Sequence, residues 1–338
     1  MRYMSKSLWL ILFTVVIMCG IYPALLWGFG QAFFPFAANG SIVNGPDGKP
    51  VGSLLVAQPF TKDEYFQPRP SAASYNATAS SSSALSVSNY ALRDRVARTI
   101  GPIATYSGGP KKGQLVAPDV ESWFRADRFQ GQPGIVAQWA DAHNSLAQGW
   151  VSADPTHGAY VDAWSKKHPA VVAKFIKDNP ATPKPAASDL AVVFFETFSK
   201  ENPGKFPSAV THPAANGKTT TAIGPVGQGS DIQSMFFDMW RQDHPDAPLT
   251  NVPGDLVTSS GSGLDPHITL QNAEFQLGRV AAKWAADTKR PPDQVRAEIE
   301  QILQADAEAP FGGLIGEKLV NVLQVNLELH KRYGAPPS

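Results

Sequence analysis

The chain has 338 residues with 29 basic and 29 acidic side chains, so its formal net charge at pH 7 is zero. This balance leaves no basic footprint of the kind that nucleic-acid binding requires, and we expect no nucleic-acid partner. The one cysteine excludes an internal disulfide and a thiolate metal cluster. The 29 prolines and 28 glycines indicate a body rich in loops rather than a helical bundle.

The first fifty residues predict a membrane anchor. Arg2 and Lys6 precede an apolar stretch, and no further charged residue follows until Asp47. As a helix, residues 8–28 are long enough to cross a bilayer core of about 30 Å. Because the basic residues precede this segment, we expect residues 1–7 in the cytoplasm and the bulk of the chain outside. The sequence thus predicts a single-pass membrane protein in contact with the lipid bilayer.

A cleaved signal peptide is the alternative interpretation, although the apolar core of such peptides is usually shorter, about 7–15 residues. Gly20, Ala24 and Gly28 recur every four positions in the segment, a spacing that lets a second helix approach closely in lipid. Small residues are also common in membrane helices, so composition alone explains the pattern equally well. Pro23 lacks a backbone N–H and favours a kink.

Beyond the anchor, local patterns predict a mixed α/β or α+β body. Residues 51–58 are typical of a short strand, whereas 65–90 show no helical period and predict an ordered loop. A short helix is expected to begin at 91–97. A helix is also predicted at 270–289, and the alternation of apolar and polar residues at 323–330 predicts a half-buried strand.

Another helix is expected after Pro291 and Pro292, because apolar residues then recur at helical spacing. These residues are Val295, Ile299, Ile302 and Leu303. Three similar runs occur earlier, at 164–171, 198–205 and 240–247, and each places an aromatic residue and a polar run before His-Pro or Asn-Pro. A residue before proline is pushed out of helical conformation, so each run predicts a helix end rather than a structural repeat.

Two loop blocks carry the most distinctive residues. The block 252–268 reads VPGDLVTSSGSGLDPHI. It begins with a short β-like run, which is followed by glycines, hydroxyl-bearing residues, an acid and a histidine. Its candidate functional residues are Asp255, Thr258, Ser260, Gly261, Ser262, Gly263, Asp265, Pro266 and His267. The block 65–80 adds Arg69, Pro70, Ser71, Tyr75 and Asn76. Arg69 is expected either to pin its loop to a carboxylate or to face a partner.

We interpret the Asp-Pro-His run as a turn in which the acid caps backbone amides. The alternative is an extracytoplasmic hydrolase that uses Ser262, His267 and Asp265. One histidine and one acid fall short of a metal site with three or four ligands. The run Asn-Gly-Lys-Thr at 216–219 has the tail of a Walker loop, but His212 stands where that loop needs glycine. We therefore interpret this run as a turn.

The anchor and the loop blocks together resemble the C subunit of the Kdp-type potassium-transporting ATPase. The matching residues are Val252, Pro253, Asp255–Thr258 and Ser260–Ile268; Tyr65, Phe66, Arg69–Ala73 and Tyr75–Ala77; and Gly316, Glu317, Val320–Leu323, Asn326 and Leu327. The resemblance divides the body into a first part at 40–100 and a second part at 231–333. Residues 101–230 between them have no counterpart in the usual subunit and are predicted to be an insertion.

The resemblance implies a non-catalytic subunit that supports the assembly, stability or regulation of ATP-driven potassium uptake. Its expected partners are a potassium-selective channel-like subunit and a P-type ATPase subunit. ATP, Mg and K+ are then used by the complex, and no cofactor is expected on this chain. The phosphorylated Asp-Lys-Thr-Gly-Thr run of a P-type pump is absent from the sequence. The remaining alternative is a stand-alone anchored module that binds a surface ligand through residues 101–230.

Overall fold

The structure, a computed structural model, describes residues 2–45, 48–127, 131–213 and 219–334. Residues 216–218 of the predicted Asn-Gly-Lys-Thr turn lie outside this part. The chain divides into two compact units. Unit 1 comprises 1–85 and 252–338, and unit 2 comprises 86–251. Unit 2 contains the whole of the predicted insertion together with residues on either side of it, and the insertion boundaries stay a prediction.

Both helices and strands occur, as the sequence predicts. The helices are α1 Arg2–Val15, α2 Tyr22–Phe33, α3 Pro35–Ala38, α4 Tyr90–Ile100, α5 Ala117–Arg125, α6 Ile135–Ala142, α7 Asn144–Ala153, α8 Pro155–Lys167, α9 Pro169–Asp178, α10 Ala191–Glu201, α11 Ser230–Met235, α12 Phe237–Asp243, α13 Gly254–Val257, α14 Leu270–Thr288, α15 Pro292–Asp306 and α16 Val322–Tyr333. The strands are β1 Ile42–Asn44, β2 Pro50–Ser53, β3 Phe206–Pro213, β4 Thr219–Val226, β5 His267–Thr269 and β6 Leu319–Asn321. They pair antiparallel as β1–β2, β3–β4 and β5–β6.

A long apolar helix occupies the N-terminal end of unit 1. α1 continues through a π-helical turn, Val16–Ile21, into α2. At this turn the Tyr22 N–H donates to the Ile17 carbonyl, five residues back. The widened turn lies directly before Pro23, whose ring has no N–H to donate and would crowd a regular α-helical turn. Among the described residues, Tyr3–Phe33 is the one helix long and apolar enough to cross a membrane, and its side chains face outward.

The remainder of unit 1 is built on α14, α15 and α16, with β5 directly before α14 and β6 directly before α16. The helices predicted at 270–289 and after Pro292 are confirmed as α14 and α15. Val295, Ile299 and Leu303 are buried at helical spacing in a core with Phe66. In unit 2, the helix predicted at 91–97 is confirmed as α4, which Asn89 caps by accepting from the Ala91 N–H at 2.9 Å.

The predicted strand at 323–330 is wrong, because these residues belong to α16. The alternation of apolar and polar residues fits a strand, but Val322, Val325 and Leu329 also recur at helical spacing, and all three are buried. Asn321 favours the helix further, since its side-chain oxygen accepts the Gln324 N–H and caps the first turn.

Two other strand-like stretches differ from expectation in the same way. Of the predicted strand at 51–58, only the first three residues belong to β2, and a turn follows at 54–55. The β-like run at the start of the 252–268 block contains the helical turn α13. Both stretches are too short for a helical or strand period to identify the local structure.

In unit 2 the three runs before proline end helices, as predicted. α8, α10 and α12 end at Lys167, Glu201 and Asp243. At the first and last of these ends, the histidine before proline contacts a tryptophan four residues back. The rings of His168 and His244 stack on them, and each Nδ1 lies 2.8–2.9 Å from the tryptophan carbonyl. The repeated sequence therefore provides a local helix stop.

A partly buried segment of unit 1 outside the helices and strands, residues 62–67, is held by side chains from far along the chain. The Phe66 N–H donates to Asn326 Oδ1 at 2.9 Å, and Asn326 Nδ2 donates back to the Phe66 carbonyl at 2.9 Å. Gln276 repeats this pairing on Gln67, at 2.8 and 3.1 Å. Each amide thus satisfies both backbone groups of one residue, as a neighbouring strand would.

Two more side chains of α14 extend this contact. Arg279 donates to the carbonyls of Asp63 and Tyr65 at 2.7 and 3.0 Å, and Trp284 Nε1 donates to the Glu64 carbonyl at 2.8 Å. We use the name amide clamp for residues 62–67 together with the four side chains that bind their backbone, which are those of Gln276, Arg279, Trp284 and Asn326. It joins the two separate stretches of sequence that make up unit 1.

We expect Asn326→Ala to weaken the amide clamp strongly. The change leaves the buried N–H and carbonyl of Phe66 without partners, which costs about 2–4 kcal/mol in the free energy of local opening. The measurement is amide hydrogen exchange of segment 60–70 in the detergent-solubilised full-length chain. Gln324→Ala, an exposed amide on the same helix, is the matched control and should leave this exchange unchanged. Equal exchange in the two variants would contradict the importance of the clamp.

Candidate functional site

The two loop blocks singled out in the sequence pack against each other in unit 1. Arg69 donates from Nη2 to the Ser259 carbonyl at 3.1 Å and from Nε to the Thr258 carbonyl at 3.4 Å. It therefore pins its loop to backbone carbonyls rather than to a carboxylate, which was one of the two alternatives that the sequence left open. Pro70 beside it is half-buried. The contact bridges nearly two hundred residues of sequence.

Ser71 lies at the centre of this junction. Its hydroxyl donates to the Gly263 carbonyl and accepts the N–H of Tyr75 at 2.9 Å and that of Ala73 at 3.2 Å. The Tyr75 hydroxyl donates to the Arg69 carbonyl at 2.9 Å, which closes the loop on itself. Ser71 and Tyr75 thus give the 65–80 block a fixed shape without helix or strand.

Gly263 is required where the blocks touch. Its φ is +70°, in the left-handed region, and a Cβ there would lie 2.6 Å from the Ser81 carbonyl oxygen. Ser81 also donates its N–H to the Ser262 carbonyl at 2.9 Å. Gly261, by contrast, is exposed, and a Cβ there would have no neighbour within 4 Å. The two glycines of this motif therefore have different roles.

Asp265, Pro266 and His267 form the turn that the sequence predicts. Asp265 Oδ1 accepts the His267 N–H at 3.0 Å and lies 2.9 Å from His267 Nδ1. The buried Pro266 accepts the Val322 N–H at its carbonyl, 3.0 Å away, which ties the turn to α16. The Asp-Pro-His run thus connects the loop junction to the helical core of unit 1.

The histidine holds the pKa of Asp265 below its ordinary value of 3.8, first through the side-chain hydrogen bond; burial acts in the opposite direction. Because the folded-state pKa is the lower one, ionised Asp265 stabilises the turn above about pH 4. This contribution is lost as the pH falls further through the folded pKa.

The hydroxyls near this pair do not assemble a catalytic relay. Ser262 Oγ accepts the Leu264 N–H at 3.1 Å, and Ser260 Oγ lies 3.4 Å from the Asp265 N–H. Within the described residues, no serine hydroxyl is hydrogen-bonded to either ring nitrogen of His267. A nucleophile needs such contact with its base, so the arrangement does not favour the hydrolase alternative.

The remaining loop candidates stabilise backbone turns. Asp255 accepts the N–H of Thr269 at 2.7 Å and its hydroxyl at 3.1 Å, at the start of α14. Thr258 donates its hydroxyl to the Gly254 carbonyl at 2.7 Å. Asn76 accepts the Thr78 N–H at 3.0 Å and is exposed. Its exposure, like that of Gly261, leaves it accessible to a partner.

The small residues of the anchor are separate from the loop junction. Gly20 lies in the π-helical turn, whereas Ala24 and Gly28 lie in α2. All three are exposed, and a Cβ at either glycine would meet nothing within 4 Å. Their face is therefore uncovered by the described residues of the chain.

Among all the residues that the structure describes, no group of three or more acidic, histidine or cysteine side chains could hold a metal ion.

Sequence reasoning missed the amide clamp as a structural centre. Gln276 and Asn326 are 5% and 2% exposed, although polar amides on a helix usually face water. The available signal was their position, because each is flanked by core residues at helical spacing. The segment 62–67 that they bind, however, contains no pattern that identifies which side chains form hydrogen bonds with it.

Comparison with known proteins places these features in one family. The family model for KdpC, described as the c chain of K+-transporting ATPase, matches residues 4–120 and 229–331. These two ranges include the apolar helix, both loop blocks and the amide clamp. Residues 121–228, within unit 2, are unmatched.

Curated relatives carry the name potassium-transporting ATPase KdpC subunit. The one from Pseudomonas entomophila is 47% identical over 94 residues, which are 28% of this chain and 50% of the relative. That from Bacillus cytotoxicus is 43% identical over 96 residues, 28% of this chain and 46% of the relative. That from Pseudomonas putida is 43% identical over 108 residues, 32% of this chain and 59% of the relative. The chain thus spans about half the length of the curated relatives it matches.

We expect Gly263→Ala to separate the two loop blocks. The added methyl group both strains a left-handed residue and overlaps the Ser81 carbonyl, at a cost of about 2 kcal/mol or more. Hydrogen exchange of segment 71–83 in the full-length chain should therefore become faster. Gly261→Ala is the matched control, and its exchange should remain that of the unmodified chain. Unchanged exchange in Gly263→Ala would show that the junction does not depend on this close approach.

Proposed function

Because the chain belongs to the KdpC family of K+-transporting ATPase c chains, we propose that it is a non-catalytic, membrane-anchored subunit of a potassium-transporting ATPase. The observation that carries the proposal is the coincidence of the family match with the structure of unit 1. The matched ranges bring together the apolar helix, the loop junction and the amide clamp. The matched ranges thus cover this whole constellation rather than an isolated motif.

In this proposal the helix α1–α2 crosses the inner membrane once. The basic residues Arg2 and Lys6 remain in the cytoplasm, and the bulk of the chain lies outside. Support comes from the helix itself, which is long enough for a bilayer and exposes its apolar side chains. With this topology, cytosolic ATP does not reach the body of the subunit. ATP and Mg are then used by the pump subunit, and K+ by the complex as its transported ion.

The partners in the proposal are a potassium-selective channel-like subunit and a P-type ATPase subunit. Two surfaces are available for them. One is the uncovered face with Gly20, Ala24 and Gly28, where small side chains permit close helix packing in lipid. The other is the exposed part of the loop junction, which includes Asn76 and Gly261. Because the junction is rigidly pinned and lacks a catalytic relay, we assign it to assembly, stability or regulation of the complex.

We expect the full-length chain, affinity-purified from its native membranes in mild detergent, to bring two larger hydrophobic subunits with it. Replacing Gly20, Ala24 and Gly28 together by leucine should reduce their recovery about tenfold, because the bulkier face prevents close helix approach. The recovery of each subunit is measured by quantitative mass spectrometry.

The matched control replaces Leu12 by Ile, Ile21 by Leu and Leu25 by Ile, which conserves volume in the same helix. This control should retain normal recovery of both subunits. Purification of the unmodified chain without the larger subunits would contradict the proposed function. Normal recovery with the leucine variant would reject only the proposed helix face.

A further inference from the structure

We infer that unit 1 touches the membrane a second time, through a short loop that inserts Leu314 and Ile315 into the lipid interface. This inference rests on the proposed membrane crossing of the N-terminal helix. The loop, residues 309–316, is named here the apolar loop. Its expected ligand is the boundary between lipid headgroups and acyl chains, beside the anchor.

The apolar loop exposes two large aliphatic side chains between glycines whose positive φ permits tight turns. Leu314 and Ile315 are 86% and 69% exposed. Gly312, Gly313 and Gly316 around them have φ values of +67°, +85° and +85°, which side-chain-bearing residues rarely adopt. The loop sequence contains no charged residue. Its composition therefore suits an apolar environment on the outside of the protein.

The base of the apolar loop is closed by backbone pairing. The Glu308 N–H donates to the Leu319 carbonyl at 2.9 Å, and the Leu319 N–H donates back to the Glu308 carbonyl at 2.8 Å. Leu319 begins β6, which pairs with β5. The two exposed aliphatic residues are thus held at the end of a fixed loop on the unit 1 core.

A path of contacts connects this loop to the end of the anchor. Gln31, in the last turns of α2, is hydrogen-bonded to the Asn39 side chain at 3.2 Å. Two residues later, the Ser41 carbonyl accepts the Leu54 N–H at 3.1 Å. Leu54 then lines a cavity of about 420 Å³ together with Pro310, at the start of the apolar loop. The start of the loop is thus connected to the C-terminal end of the helix through residues 39–54 and this cavity.

Other exposed apolar side chains of unit 1 follow the anchor closely in sequence. Among the described residues of unit 1 outside the long helix, the large exposed ones are Phe34, Phe36, Ile42, Val51, Leu55, Leu314 and Ile315. The first five lie within residues 34–55, which directly follow the anchor and include the β1–β2 hairpin. Continuity with the anchor favours lipid as the occupant, since an interfacial segment places its apolar side chains about 5–10 Å into the headgroup and acyl boundary.

The test uses the full-length chain alone, reconstituted in vesicles of phosphatidylethanolamine and phosphatidylglycerol. In a Cys19→Ser background, Leu314→Cys is labelled with an environment-sensitive nitrobenzoxadiazole dye. Val87→Cys is the control position, because Val87 is 97% exposed. At position 314 we expect quenching by lipids that carry a nitroxide at acyl carbon 5, and iodide quenching about threefold weaker than at position 87.

Iodide quenching at position 314 as strong as at position 87, without nitroxide quenching, would overturn the inference. Protection that arises only when the other subunits are added would also overturn it, because the loop would then be a protein contact. The dye placed on the native Cys19 reports the anchor separately, with lipids that carry the nitroxide near the end of the acyl chain, because Cys19 lies near the middle of the helix Tyr3–Phe33. Nitroxide quenching at Cys19 without quenching at position 314 rejects the second contact alone, whereas its absence at Cys19 rejects the membrane crossing itself.

Discussion

The rest of unit 1 depends on hydrogen bonds between two side-chain amides and the backbone of Phe66 and Gln67, which belong to no strand. Phe66 is 1% exposed, so its N–H and carbonyl need partners within the protein. Asn326 supplies both, and Gln276 does the same for the next residue. These partners lie 260 and 209 residues away in sequence. The beginning and the end of the chain must therefore meet before the core can close.

This constraint explains why the loop blocks form a defined surface although they contain little regular structure. With residues 62–67 fixed by the amide clamp, the following loop reaches the 252–268 block. There Arg69 and Ser71 bond to its backbone, and Gly263 permits the close approach. Unit 2 is inserted between these two stretches and has its own aromatic core. All contacts of the clamp and the junction therefore lie inside unit 1.

The sequence predicted the elements whose patterns are local and long. α14 and α15 follow from apolar spacing and proline, and the helix stops follow from the residue before proline. The sequence of α16 predicts a strand because its apolar residues satisfy both periods, whereas the Asn321 cap favours the helix that the structure shows. The loop residues were identified by resemblance, but their hydrogen bonds were not. Tertiary pairing such as that of Asn326 with Phe66 has no local signature.

Together, the clamp and the junction hold unit 1 together beside one apolar helix, and the proposed role of the chain depends on which side of the membrane its body occupies. The most direct measurement is a pair of reporter fusions after residue 338 in the native cell. If the body lies outside the cytoplasm as proposed, the alkaline phosphatase fusion is active, because that enzyme matures only there, and the β-galactosidase fusion is inactive. An inactive phosphatase with an active galactosidase would place the body in the cytoplasm and contradict the account.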